Sequence, residues 1–338
     1  MASVTQRIKQ IRQPEKGYLP TSFFQKSLLP TNTVLYDNEN IHASLIGMAV
    51  DYLTRHMMGV RPREAFQISL LGAENAGLLS YAEQLCDHVY GLSDTSIICA
   101  CKLCGFDVCY RSSLKQYKPV EDINPNQETI CNIRTMVERT LSFFQMYGPI
   151  VSLSPTFEGG YSLTVDSGDG DFVTNDTLWD LKVLKSGISS KHTLQLLMYY
   201  IMGRHSVYPQ LHNLTNLGFF NPRLNTVYIC PISSIHPSII QAVEYDVICY
   251  HITDNEWLPL IDACHDYNIH IKTMMPLLKK NSIQHIKNGS EYLINRSSLE
   301  AYLKQEKKQR IELLIISVVL SISILIVFII CFRSTLNF

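Results

Sequence analysis

Residues 168–185 read GDGDFVTNDTLWDLKVLK, a sequence typical of two short strands joined by a turn. The Asn-Asp pair at 175–176 predicts a tight turn between two short strands. Asp180 and Lys182 are two residues apart on the second strand, so their side chains point to the same face of the sheet. The register of such a hairpin brings Asp171, on the first strand, close to Asp180. Two carboxylates and a lysine are therefore expected to converge at one end of the sheet.

The flanking sequence extends this hairpin into an α/β core. Apolar residues recur with a helical period on both sides of the hairpin, and short apolar runs typical of strands follow. The predicted elements are a helix at about 127–147, a three-stranded meander at 160–183, a helix at about 190–203 and strands near 216–220 and 226–232. Residues 126–245 thus form one predicted core, preceded by a mostly helical region over 1–125.

This set of side chains suits metal-assisted hydrolysis of a phosphodiester. Carboxylates such as Asp171 and Asp180 are the oxygen ligands that Mg²⁺ prefers. A metal held there polarises a phosphoryl oxygen and lowers the pKa of a bound water. Lys182 is placed to orient or help deprotonate that water and to neutralise developing charge.

The order of short motifs resembles the PD-(D/E)XK nuclease superfamily, particularly its RecB and Cas4-like branch. Residues 168–171 give G-x-x-D, residues 180–182 give D-x-K, and Gln195 and Tyr199 give Q-x-x-x-Y on one face of a helix. The resemblance covers roughly residues 130–232. It implies a restriction-endonuclease-like core of helix, three-stranded meander, helix and strand.

The resemblance also implies roles for single residues. Glu158, about a dozen residues before Asp171, is the expected third carboxylate, and Gln195 and Tyr199 are expected to position metal, water or substrate. The implied activity is Mg²⁺-dependent or Mn²⁺-dependent cleavage of DNA. The alternative is that Asp180 and Lys182 form an ordinary salt bridge, in which case the chain is a non-catalytic DNA-binding or adaptor protein on a nuclease scaffold.

Residues 256–303 form a second predicted module. Two short helices are followed by two strands around Asn288-Gly289, a hairpin-turn pair, and by a last helix. The order resembles the small winged helix-turn-helix of excisionases, which implies that the second helix enters the major groove of DNA. The residues expected to contact DNA are His270, Lys272, Thr273, Lys279, Lys280 and Lys287. A protein partner is the alternative occupant of this module.

Four cysteines fall within eleven residues of the helical region. Cys99, Cys101, Cys104 and Cys109 offer enough thiolates for a structural zinc site. Zinc ribbons and fingers, however, use two separated pairs, whereas these four are contiguous. Buried thiols in a helical core are the favoured interpretation.

The C-terminal sequence predicts a membrane anchor over residues 311–332. Residues 313–332 contain no charged side chain, and 20 helical residues span about 30 Å. Basic residues are more frequent before this stretch than after it, which predicts a single-pass protein with its N-terminal domain in the cytoplasm.

The overall composition excludes two classes. With 46% apolar and 17% charged residues, the chain is not globally disordered. The formal net charge of −1 excludes a strongly basic nucleic-acid binder, so any contact with DNA must come from a local patch.

Overall fold

The computed structural model describes residues 2–31, 33–252, 256–288 and 291–335, and their side chains as far as residue 315, that of residue 288 excepted. In these residues the α-helices are α1 (Val4–Gln10), α2 (Ala43–Met57), α3 (Pro62–Ala65), α4 (Gln67–Asn75), α5 (Leu79–Asp87), α6 (Asp94–Cys104), α7 (Asp107–Arg111), α8 (Gln127–Tyr147), α9 (Ser190–His205), α10 (Pro237–Ala242), α11 (Leu260–Asp266), α12 (Ile271–Lys279) and α13 (Arg296–Thr335). The strands are β1 (Ala2–Ser3), β2 (Gln25–Leu28), β3 (Ile150–Leu153), β4 (Val165–Ser167), β5 (Phe172–Thr174), β6 (Thr177–Leu181), β7 (Asn216–Asn221), β8 (Thr226–Pro231), β9 (Trp257–Pro259), β10 (His285–Asn288) and β11 (Glu291–Asn295).

The chain folds into two compact units. The larger comprises Ser3–Tyr161 and Ser167–Ile248. The smaller comprises Met1–Ala2, Ser162–Asp166 and Cys249–Phe338.

The larger unit is built on a six-stranded mixed sheet in the order β2-β8-β7-β6-β5-β3. Strands β6 and β7 are parallel, and the other neighbours are antiparallel. A parallel pair needs a crossover, which α9 supplies between β6 and β7. The three strands β5, β6 and β7 therefore hold the centre of the sheet, where the hairpin of residues 171–181 lies.

Helix α8 covers this sheet with aromatic side chains. The Phe143 ring stacks on Phe220 with centroids 4.3 Å apart, and it meets the edge of Trp179 at 4.9 Å. Trp179 is fully buried, and its Nε1 donates to Thr174 Oγ1 at 3.0 Å. Because a buried indole needs an acceptor, this bond fixes the tip of the hairpin as well as the core.

Helix α9 is buried on almost every side. Its residues from Thr193 to Gly203 are buried apart from the half-buried Gln195. The Ser189 side chain accepts from the His192 backbone while His192 accepts from Ser189, so the helix begins with a capping box. A polar side chain on such a helix is held rigidly, which matters for Gln195 and Tyr199.

The rest of the larger unit is a helical core in which α2 packs against α6 and α8. Cys99, Cys101 and Cys104 on α6 and Cys109 on α7 are buried there. Burial raises the pKa of the Cys101 thiol to about 12, so this side chain is neutral at physiological pH. The burial of all four side chains fits the interpretation of thiols in a helical core.

The smaller unit contains an antiparallel sheet in the order β10-β11-β9. Helices α11 and α12 pack with this sheet around a core that includes Met274, Leu278 and Ile294. The turn predicted at Asn288-Gly289 lies largely outside the described residues, although β10 and β11 on either side of it are paired. Strand β9 was not expected from the sequence.

The first strand of the predicted meander is misplaced. Residues 160–166 were expected to form it, but the third sheet strand on that side is β3, whose Leu153 pairs with Phe172 of β5. The sequence IVSL of β3 follows directly on Gly148-Pro149 and is too short to show an alternating pattern.

The predicted membrane anchor is also corrected. Residues 311–332 lie inside α13, and from residue 316 onward they fall outside the part whose side chains are described. The preceding part of α13 is charged and exposed, with a Glu306–Arg310 ion pair at 2.9 Å and a Lys308–Glu312 pair at 4.0 Å. Among the described residues, no helix combines the length and the apolar surface that crossing a membrane requires. The fold class is mixed α/β, and for the residues that the structure describes the predictions of a transmembrane helix and of a single-pass protein are wrong. The prediction of a cytoplasmic N-terminal domain depended on that helix and loses its basis with it.

Candidate active site

Strands β5 and β6 bring two aspartates together. Their register pairs Phe172 with Trp179, so the next step places Asp171 opposite Asp180. Asp180 is 2% exposed, at the end of β6. The Asp171 Oδ2 atom accepts from the backbone N–H of Leu181 at 2.5 Å, which fixes this carboxylate against the neighbouring strand. The two carboxylates therefore share one end of the hairpin.

Lys182 completes this group. It follows the last residue of β6, and its backbone N–H donates to the Phe220 carbonyl of β7 at 3.0 Å. Its Nζ lies 3.0 Å from Asp180 Oδ1, to which it donates, and 2.8 Å from Oδ2. The Oδ2 atom is buried and accepts no well-directed hydrogen bond from the described residues, so it keeps capacity for another ligand.

Burial and neighbouring charges shift the pKa values of Asp171 and Asp180. Burial, followed by the charges of Asp180 and Asp51, raises the pKa of Asp171 to about 8. Burial also raises the pKa of Asp180, against the opposing effect of Lys182. For Lys182, burial lowers the pKa, but the charges of Asp180 and Asp171 outweigh it and the pKa rises. Lys182 is therefore cationic, and a second positive charge near Asp171 is needed before both aspartates ionise readily.

Tyr199 of α9 lies within the electrostatic field of this group, and Gln195, one turn earlier, donates to its hydroxyl. Gln195 Nε2 donates to Tyr199 Oη at 2.9 Å, and the Tyr199 ring stacks on Phe157 with centroids 5.1 Å apart. Burial, followed by the charge of Asp180, raises the pKa of Tyr199 well above its usual value. Tyr199 is thus a neutral hydroxyl within the field of Asp180.

Glu158 does not join them. Its side chain is exposed, and hydrogen bonds from Thr156 Oγ1, at 2.5 Å, and from Tyr208 lower its pKa. Its carbonyl accepts from the Val207 N–H at 2.8 Å, near the C-terminal end of α9. The physical reason is that residues 154–164 form a loop rather than the expected core strand, so the chain leaves the sheet before Glu158.

Helix α2 contributes charged residues that the sequence did not reveal. Asp51 adds its charge to those acting on Asp171, Asp180 and Lys182. Arg55, one turn later, donates to Asp51 through Nε at 3.0 Å and Nη2 at 2.9 Å. Asp169, at the start of the hairpin, adds to the charges acting on Asp180.

The residues present fit a divalent cation in charge and donor type. Asp171 and Asp180 offer hard oxygen donors, and a cation bound to Asp180 Oδ2 would have to displace the Lys182 ammonium, which lies 2.8 Å from it. No group of three His, Cys, Asp or Glu side chains in the described part of the chain lies close enough to enclose a metal. Mg²⁺ is commonly bound by one or two carboxylates with waters completing its shell, and this pair meets that requirement.

The six residues expected to contact DNA all lie in the smaller unit. Lys272, Thr273 and Lys279 are exposed on α12, and Lys280 is exposed directly after its end. His270 caps this helix, its Nδ1 accepting from the Lys272 N–H at 3.1 Å, so it serves the helix end. Lys287 of β10 is exposed, with Nζ 5.8 Å from the centroid of the Tyr292 ring.

Comparison with known proteins identifies no matching protein family, and neither a curated protein nor a solved structure is significantly similar to the chain. The functional conclusions below therefore depend on the geometry of the chain itself and on the motif resemblance.

Proposed function

We propose that the chain is a divalent-metal-dependent nuclease that hydrolyses DNA phosphodiester bonds. The observation that carries this proposal is the buried Asp171–Asp180 pair on neighbouring strands, with Lys182 in contact with Asp180. Buried, mutually repelling carboxylates are costly to a fold, and such strain concentrates at functional sites.

The roles follow from the positions of the side chains. Asp171 and Asp180 hold Mg²⁺ or Mn²⁺, which when bound polarises a phosphoryl oxygen and acidifies a water. Lys182 brings its positive charge to the edge of the site, where negative charge develops on the phosphate during attack. The Tyr199 hydroxyl, held by Gln195 and by stacking of its ring on Phe157, orients the attacking water in this proposal.

The basic residues of the smaller unit are proposed to add affinity for DNA. Lysines on α12 are long, exposed and unsuited to bidentate base contacts, so they are expected to contact phosphates. Contacts of this kind contribute affinity that falls with salt and little sequence preference.

The test is cleavage of single-stranded and double-stranded DNA by the full chain with Mg²⁺ or Mn²⁺. We expect cleavage that EDTA abolishes and that Asp180→Asn reduces at least about 100-fold. Asp176→Asn is the matched control, since Asp176 lies at the turn end of the same hairpin and bonds Thr177 and Asn216. Metal-independent cleavage, or equal loss in both variants, would contradict the proposal.

A second candidate is a non-catalytic DNA-binding or adaptor protein on the same scaffold. The observations that favour it are the direct Asp180–Lys182 ion pair and the separation of Glu158 from that pair. In that case, DNA binds with the same affinity to the wild type and to Asp180→Asn, and neither protein cleaves it.

A further inference from the structure

One face of α2 lines a small cavity beside the carboxylate pair. Asp51, Thr54, Arg55 and Met58 follow one another at helical spacing and, together with Asp171, line this space. Its volume is about 10 Å³, which is room for one water molecule. Neither composition nor motif spacing predicts that α2, more than a hundred residues before the hairpin, reaches this point.

Arg55 is held in a fixed orientation there. Asp51 receives two parallel hydrogen bonds from Nε and Nη2, and the Arg55 guanidinium lies 5.8 Å from the centre of the Tyr52 ring. No described residue accepts a hydrogen bond from Nη1. The side chain is 20% exposed, so its unpaired edge is accessible from solvent. Burial alone would lower the pKa of Arg55, but the charges of Asp51 and Asp171 outweigh this effect and the pKa rises. The guanidinium therefore stays cationic.

Thr54 provides a second, independent observation at this cavity. It is 3% exposed, and its Oγ1 makes no hydrogen bond with any described residue. A threonine inside a helix ordinarily bonds the carbonyl four residues earlier, and a buried hydroxyl without a partner costs about 1–3 kcal/mol. Thr54 lines the same cavity as Arg55 and Asp171.

We propose that Arg55, positioned by Asp51, binds a phosphate group of a nucleic-acid backbone next to the Asp171–Asp180 pair. The free edge of the guanidinium supplies the donors, and Thr54 Oγ1 contacts the same phosphate through the one water that the cavity holds. Arginine suits this task because its planar fork matches phosphate oxygens. The inference rests on the proposed function and names the substrate group at that site.

The neighbouring carboxylates set a condition. Asp51 and Asp171 repel a phosphate unless their charge is neutralised, so phosphate binding at Arg55 is expected to require a divalent cation. The probe is therefore a fluorescent single-stranded DNA oligonucleotide, with Ca²⁺ in place of Mg²⁺ to limit cleavage, and with EDTA as the cation-free comparison.

The experiment measures oligonucleotide affinity of the full chain against salt concentration. Each phosphate contact contributes about 0.7 to the slope of log K against log salt for single strands. Arg55→Gln should weaken binding roughly tenfold in Ca²⁺ and reduce this slope by about 0.7, with little change in EDTA. Arg61→Gln is the matched control, because Arg61 is an exposed arginine of the same region that pairs with Glu64 and does not line the cavity.

The outcomes separate the two proposals. A folded Arg55→Gln protein with an unchanged slope overturns the inference and makes Arg55 a structural counter-ion, whether or not the wild type cleaves DNA. A wild type that binds but never cleaves DNA refutes the proposed function. The salt dependence of binding by Arg55→Gln then still decides whether Arg55 contacts a phosphate. A wild type that does not bind the oligonucleotide refutes the inference, and the cleavage assay on both forms of DNA then decides the proposed function separately.

If Arg55→Gln does not fold, Arg55→Lys decides. It keeps the charge, and hence the slope, but loses the double hydrogen bond with Asp51, so we expect cleavage to fall at least tenfold. Wild-type cleavage by that variant would show that the positioned fork is not used.

Discussion

Replacing Asp171 with asparagine tests the electrostatics of the candidate site directly. In the unfolded chain an aspartate titrates near pH 4, whereas in the folded protein burial and the charge of Asp180 raise the pKa of Asp171 to about 8. Between these values the unfolded state loses a proton that the folded state keeps. Stability of the metal-free protein therefore falls as the pH rises from about 4 to about 8.

The size of the effect follows from the same numbers. Each unit between the pKa in the unfolded chain and the pH corresponds to about 1.4 kcal/mol. At pH 7, about three units above the unfolded-state pKa, the upper limit of the loss in folding stability from Asp171 is therefore roughly 4 kcal/mol. The asparagine side chain of the variant retains an oxygen that accepts from the Leu181 N–H, but it carries no charge. Asp171→Asn should thus stabilise the metal-free protein at pH 7 by at least about 1 kcal/mol, while removing cleavage.

The assay is urea unfolding in EDTA at pH 4.5, 6, 7 and 8. The advantage of Asp171→Asn should be small at pH 4.5 and should grow with pH. Asp122→Asn, which alters an exposed carboxylate, is the control and should be neutral at every pH. A destabilised Asp171→Asn protein, or an advantage independent of pH, would refute the reasoning.

Three further substitutions probe the site and its support. Lys182→Gln should reduce turnover about 100-fold, whereas Lys185→Gln, at a side chain 70% exposed, should leave it unchanged; equal rates for both would remove Lys182 from the mechanism. Tyr199→Phe should cost about 1 kcal/mol in thermal unfolding and lower turnover about tenfold, and an unaltered rate would make the hydroxyl purely structural. Gly218→Ala should destabilise the protein by about 1–3 kcal/mol, because its new Cβ would overlap the Trp179 ring; wild-type stability would show that the indole can move.

The sequence predicts best those elements that carry a sustained period. The helix expected at about 127–147 is Gln127–Tyr147, and that at about 190–203 is Ser190–His205. Each spans several turns and begins with a side-chain cap, so the local signal is strong. By contrast, β3 has four residues and no alternation, and its position depends on pairing with β5.

In the candidate site, too, local sequence patterns predict some residues, whereas others depend on tertiary packing. The convergence of Asp171, Asp180 and Lys182 could be worked out from strand geometry, because all three lie within twelve residues. Asp51 could not, since an aspartate on an amphipathic helix ordinarily faces solvent, and only tertiary packing of α2 brings it near the hairpin. Glu158 was misplaced for the converse reason: its sequence distance from Asp171 was right for a strand, but the chain there forms a loop.

Because Lys182 forms an ion pair with Asp180, its ammonium group competes intramolecularly with any metal ion that binds the Asp180 carboxylate. Because it is attached two residues away, its effective concentration is high and independent of bulk conditions. Metal affinity at this site is then set as much by the ease of displacing the ammonium as by the ligands themselves. Lys182 thus assists turnover but weakens metal binding. When Lys182 is neutralised, we expect the affinity for the metal to rise and the cleavage rate to fall. The chain would thus load its metal reversibly, in step with the supply of free cation.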